Sequence, residues 1–178
     1  MTEMQRPVPP VRRSVTVAWS RELAFRRFTA EIAKWWPMRT HSVGEERTRD
    51  VVFEGRVGGR FYEIDEGGET HTWGTVAAWD PPSLVRFTFH PGIEPEKAQE
   101  VEVRFVEVGT GTRLELTSGG WEKLGPRAKR ARKGYDLGWA HILDLWAGRY
   151  GARVILMNML IAVVQVASRL RRGGRRRS

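Results

Sequence analysis

The sequence predicts an α+β domain: a curved antiparallel sheet with one long helix laid across its concave face. Three observations lead there. Residues 51–89, VVFEGRVGGRFYEIDEGGETHTWGTVAAWDPPSLVRFTF, read as four short aromatic-rich strands separated by glycine and proline turns. From Arg127 the apolar period changes: Ala128, Ala131, Tyr135, Trp139, Ile142 and Trp146 recur at helical spacing while Lys129, Arg130, Arg132 and Lys133 occupy other faces. The links between strands are also too short for parallel crossovers, which need roughly a dozen residues.

Taken in order, residues 1–10 form a proline-containing lead, expected to be disordered. Val11 to Trp19 alternates apolar and polar residues, as a half-buried strand does. Ser20 suits an N-cap, with Glu22 favourably placed in the first turn of a helix. Phe25, Phe28 and Ile32 share one face of that helix, which is expected to run to Trp35-Trp36 because Pro37 disfavours helical backbone before it. A loop through His41 follows. Six strands then form a meander: Arg49–Glu54, Arg60–Asp65, Glu69–Asp80, Leu84–Phe89, Gln99–Val108 and Thr112–Ser118. Their breaks carry turn chemistry at Gly58-Gly59, Gly67-Gly68, Pro81-Pro82, Pro91-Gly92 and Gly109-Thr110-Gly111. The Arg127–Trp146 helix closes the domain, placed at residues 11–147, and ends near Gly148.

A chain of 178 residues supports one core rather than two. It contains no cysteine, which excludes disulfides and thiolate chemistry and suits a cytoplasmic setting. The N-terminus lacks the apolar stretch of a secretory signal. The net charge of +9 is concentrated at one end: residues 127–178 hold 13 Lys and Arg against 2 acids, whereas residues 14–126 hold 14 against 18. The basic balance therefore describes the tail and gives no ground for specific nucleic-acid binding.

Several stretches together resemble the START-like (SRPBCC, helix-grip) superfamily. They are Phe53-Glu54-Gly55-Arg56-Val57-Gly58-Gly59-Arg60-Phe61-Tyr62, then Trp73-Gly74-Thr75-Val76 and Trp79-Asp80-Pro81-Pro82. Gly111-Thr112-Arg113-Leu114-Glu115-Leu116 and Gly138-Trp139 with Ile142-Leu143 complete the set, so the resemblance covers about Val15 to Leu145. Within the superfamily the chain is similar to bacterial homologues of the C-terminal domain of the activator of heat-shock protein 90 ATPase. The resemblance implies a cavity between sheet and last helix, where relatives hold lipids, polyketides or other apolar molecules. It implies little about a reaction. The second domain with which the eukaryotic co-chaperone grips its client ATPase has no counterpart in these residues.

Trp73, Trp79, Phe87, Phe89, Tyr135 and Trp139 are the candidate apolar walls, although aromatic rings also dominate ordinary cores. Arg60 and His71 are the candidates for polar orientation of a ligand. Arg60 and Glu63 project to opposite faces, while His71 and Trp73 share one. Gly134 and Gly138 either thin the last helix where a ligand passes or permit close contact with the sheet. The expected function is therefore binding of a small hydrophobic or aromatic ligand without catalysis. The alternatives are a polyketide-cyclase-like or hydrolase-like enzyme in which His71, His41 or Glu63 handles a proton, and a stress- or chaperone-associated interaction protein. No catalytic residue is assigned and no cofactor is expected. His41, His71, His90 and His141 lack metal-ligand spacing, so no metal site is expected either.

Residues 148–168 read as an apolar helical extension and residues 169–178 as an arginine-rich tail. At 1.5 Å per residue, the apolar run 154–168 spans about 22 Å, short of the roughly 30 Å of a hydrocarbon core. Two roles fit residues 149–178. They pack on the domain or on a second copy as a homodimer, or they lie against an anionic membrane surface at the inner face, with the arginines adding attraction.

Overall fold

The computed structural model describes residues 7–151, 156, 157 and 159–161. Seven strands form one antiparallel sheet: β1 (Val11–Val17), β2 (Thr48–Phe53), β3 (Arg60–Asp65), β4 (Thr70–Asp80), β5 (Leu84–Phe89), β6 (Gln99–Val108) and β7 (Gly111–Gly119). Their spatial order is β1-β7-β6-β5-β4-β3-β2. After β1 the chain crosses from one edge of the sheet to the other through residues 18–47, then meanders back strand by strand. The sheet curls around a long helix, α3 (Ala128–Trp146), which follows a 3-10 segment, Trp121–Arg127. This is the α+β helix-grip architecture expected from the sequence.

Ser20 caps the first helix, α1 (Arg21–Phe28), its Oγ accepting from the Leu23 N–H at 3.3 Å. That helix stops at Phe28 instead of running to Trp35-Trp36. Thr29 leaves helical geometry (φ −102°, ψ −82°) while its hydroxyl donates to the Phe25 carbonyl at 2.8 Å. Side-chain bonding of this kind competes with helix continuation. A 3-10 turn, Ile32–Lys34, then carries the chain to Trp35, whose indole donates to the Arg27 carbonyl at 2.6 Å. Beyond Pro37 the expected loop contains one helical turn, α2 (Met38–His41).

The core lies between the concave sheet face, α1 and the C-terminal half of α3. Trp73, Phe61, Phe87, Phe105, Trp121, Trp139 and Trp146 are buried there almost completely. Edge-on ring contacts dominate, as aromatic quadrupoles favour; Phe61 and Trp73 centroids, for example, are 5.1 Å apart at 75°. The C-terminus of α3 is closed by Gly148 at φ +70°, with the Arg149 N–H donating to the Asp144 carbonyl at 2.8 Å and Gly148 to Leu145 at 3.0 Å. This paired pattern is a Schellman cap, in which glycine takes the left-handed position at little cost.

The lead into β1 is engaged at its end: the Arg132 guanidinium donates to the carbonyls of Pro9 (2.8 Å) and Pro10 (3.2 Å). Among the described residues no helix is long and apolar enough to cross a membrane. The apolar extension and the arginine tail fall largely outside the described residues. Of the few that are described there, Leu156, Met159 and Leu160 are exposed and helical.

Candidate functional site

A cavity of about 730 Å³ opens beneath α3. Three pieces of chain enclose it. The inner face of α3, with Arg127 just before it, supplies Arg130, Ala131, Gly134, Tyr135, Gly138, Trp139 and Ile142, a stripe at helical spacing. The segment around α2 supplies Trp36, His41, Ser42 and Val43, and the end of β5 with its following turn supplies Phe89, Pro91 and Gly92. The rings pack against one another: Phe89 lies 5.4 Å from Trp139, 6.2 Å from Tyr135 and 6.4 Å from Trp36, centroid to centroid.

Two glycines make room for it. A Cβ on Gly134 would meet nothing within 4 Å, and one on Gly138 would come no closer than 4.0 Å to His41 Nε2. Neither glycine is needed for close helix–sheet contact, and each costs the helix about 1 kcal/mol relative to alanine. Their effect is to leave the helix backbone bare on the cavity side.

Polar groups are few. The His41 imidazole shares a hydrogen bond with Thr40 Oγ1 through Nδ1 at 2.9 Å, and its backbone carbonyl accepts from the Trp36 indole at 3.0 Å. Burial, and then the charge of neighbouring His141, lower its pKa from 6.5 to about 4, so the ring is neutral at physiological pH. Ser42 donates to the Met38 carbonyl and is 2.8 Å from Thr48 Oγ1. The Tyr135 phenol is held above its usual pKa by burial and stays protonated. Among the described residues, no aspartate or glutamate lines the cavity.

Glu63 shapes the rim from outside. It is fully buried on β3, and its carboxylate accepts from the N–H groups of Val43 (2.8 Å) and Gly44 (2.5 Å) and from Thr48 Oγ1 (3.3 Å). All these contacts are structural, and Glu63 itself does not line the cavity.

Of the residues expected from the sequence, Phe89, Tyr135 and Trp139 meet in the cavity wall. Trp73 and Phe87 lie behind it, buried in the core. Trp79 is covered by Phe25, 5.0 Å away, and stacks on Phe53 at 6.1 Å. Arg60 is on the outer face, its guanidinium 4.2 Å above the Tyr62 ring and beside Glu54. His71 lies near the start of β4, opposite Glu63, with its Nε2 3.6 Å from Asp65. It shares the inward face with Trp73, as expected: its cross-strand partner Glu63 is buried on the same face as Phe61, which packs against Trp73. The β3–β4 bulge changes the phase only beyond that point, and His71 nevertheless does not line the cavity. Asp65, Glu69 and His71 bring their ligand-type atoms within 4.8 Å of one another. One Asp65 oxygen there already caps the turn by accepting from Gly67 and Glu69, both at 2.9 Å. Sequence reasoning did not single out Trp36, Val43, Arg127 and Arg130 as wall residues. The Trp35-Trp36-Pro37 run was the one available signal for the first.

Comparison with known proteins agrees with this geometry. Residues 18–147 match the family model of activator of Hsp90 ATPase homolog 1-like proteins. No curated protein sequence matches the chain. Among solved structures, the chain is similar to the anthrahydroquino-gamma-pyrone synthase Txn09, with 36% identity over 73% of this chain and 88% of that one and a TM-score of 0.52. It is also similar to the self-sacrificing resistance protein CalC from Micromonospora echinospora, with 33% identity, coverage of 79% and 93%, and a TM-score of 0.59. The Aha1 dimer from Colwellia psychrerythraea shares the fold at 15% identity, 81% and 100% coverage and a TM-score of 0.55.

Proposed function

From the premise that this chain belongs to the activator of Hsp90 ATPase homolog 1-like family, within the START-like superfamily, we propose that it binds a small hydrophobic or aromatic molecule under α3. One observation carries the reading: the cavity of about 730 Å³ with its wall of Trp36, Phe89, Tyr135 and Trp139. Its size falls within the range of small-molecule sites, and its few polar groups suit orientation better than reaction. The similarity to Txn09, named as an anthrahydroquino-gamma-pyrone synthase, and to CalC, named as a self-sacrificing resistance protein, supports a polycyclic or otherwise flat occupant.

Native mass spectrometry of the purified protein tests this directly. A small apolar adduct is expected, and Gly134→Leu, which places a side chain in open space, should remove it. An adduct that persists unchanged in Gly134→Leu would mean that the cavity is not the site.

The second reading is enzymatic, and His41 favours it: a neutral imidazole lines the cavity, whereas His71 and Glu63 do not. In that case His41 is the general base. His41→Ala would then abolish turnover of a bound substrate while leaving its affinity largely intact; loss of neither would leave binding alone. A homodimer or membrane contact through residues 149–178 remains a separate proposal, tested by sedimentation and liposome flotation of the chain with and without those residues.

A further inference from the structure

We infer that the molecule held under α3 is an aromatic acid, seated with its apolar body against the ring wall and its anionic group at the Arg127–Arg130 end of the cavity. This rests on the binding reading above and adds the charge of the ligand to it.

The first observation is the sign of the lining. Arg127 and Arg130 line the cavity, and among the described residues no carboxylate does. Among the described residues Arg130 has no hydrogen-bond or ion-pair partner, and the charge near Arg127 is Glu94, outside the lining. Guanidinium groups present several N–H donors in a plane and match a carboxylate or similar oxyanion in bidentate fashion. A ligand cation here would meet only like charge.

The second observation concerns α3 itself. A helix N-terminus carries about half a positive charge and is normally complemented by Asp or Glu in the first turn. The first turn of α3 has no acidic residue, and its N-cap position is Arg127, with no side-chain hydrogen bond to the helix. Lys129 and Arg130 follow at once. Local helix stability is poorly served by this arrangement, since positive side chains and positive dipole end repel. An anion bound at this end would complement both charges. Deeper in the cavity, the neutral His41 ring and the Tyr135 phenol offer hydrogen bonds without adding charge.

Two fluorescent probes with the same aromatic body test the inference: phenylnaphthylamine, which is neutral, and anilinonaphthalene sulfonate, which carries a fixed negative charge. Both should bind the full chain, the sulfonate about tenfold more tightly at low salt. That preference should shrink as salt rises and the screening length falls. In the Arg127→Gln, Arg130→Gln double variant the preference should disappear, and far-ultraviolet circular dichroism should be unchanged because both side chains are exposed. Gly134→Leu should weaken both probes.

The outcomes separate the two claims. If both probes bind equally, or if the double variant keeps the sulfonate preference, the ligand-charge inference is overturned while the cavity reading stands. If neither probe binds, or if both survive Gly134→Leu unchanged, the cavity reading falls and takes the inference with it.

Discussion

The imidazoles of His41 and His141 face each other across the gap between α2 and α3, ring centroids 5.5 Å apart and tilted by 30°. Protonating His41 would place a positive charge in a half-buried site beside a second imidazole. Its folded pKa of about 4 against an ordinary 6.5 expresses that cost.

The sign of the pH effect follows. Above about pH 6.5 the ring is neutral in both the folded and unfolded chain, and its contribution is complete. As pH falls toward 4 the unfolded chain takes up the proton first, so stability is lost progressively, by about 3 kcal/mol at full extent. Denaturant titrations should show this slope between pH 6.5 and 4.5, and His41→Gln should flatten it. Below that window carboxylates such as Glu54, held low chiefly by the Arg60 backbone N–H, add a separate loss as they protonate.

Glu63 tethers the cavity rim to the sheet. Glu63→Gln replaces one acceptor oxygen by an amide that cannot receive the Val43 or Gly44 N–H, leaving a buried donor unpaired. A loss of about 1–3 kcal/mol is expected by denaturant unfolding. Because Glu45, next in that loop, has φ +51°, the freed rim should also gain amide hydrogen exchange at residues 43–47.

Two glycine-to-alanine changes should have opposite signs. Gly134→Ala puts a methyl into open space on α3 and should raise stability by up to about 1 kcal/mol. Gly74→Ala would bring its Cβ to 1.7 Å from the Thr88 carbonyl oxygen, which belongs to the neighbouring strand. The backbone would have to move, at a cost of about 2–3 kcal/mol. Thermal melts of the two variants test the pair.

Truncating Trp73, fully buried among Phe61, Phe89 and Trp36, should cost about 3–5 kcal/mol as Trp73→Ala. Ligand affinity measured on the folded fraction should change far less, because the side chain lies behind the cavity. An equal loss in Phe89→Ala and Trp73→Ala binding would contradict that placement.

Strands and turns were legible because glycine and proline mark each break and the period of two survives between them. The cavity was legible only in outline. Tyr135, Trp139 and the two helix glycines follow from the helical period, and Phe89 from its place at the end of a strand. Trp79 and Phe87 look equally suited in sequence. They are excluded because α1 lays Phe25 over that part of the sheet, 5.0 Å from Trp79 and 5.3 Å from Phe105. Trp36 covers the next part, 5.3 Å from Trp73 and 5.8 Å from Phe61. Which rings a plug covers is a tertiary fact that no local spacing carries. His71 faces inward as the alternation implies, but its ring sits beside Asp65 and not in the cavity wall, a pairing that strand spacing alone does not reveal.

The two flanks of α3 are built differently. Along one, Arg132 reaches the Pro9 and Pro10 carbonyls and Asp136 holds Arg13 at 2.8 Å, stitching the helix to the entrance of β1. Along the other lies the cavity. The helix is thus tied along one flank to residues 9–13, as a book cover is to its spine, while the other flank borders the cavity. The proline lead would then belong to the gate: loosening that spine should change how fast a ligand enters and leaves before it changes how tightly the ligand is held.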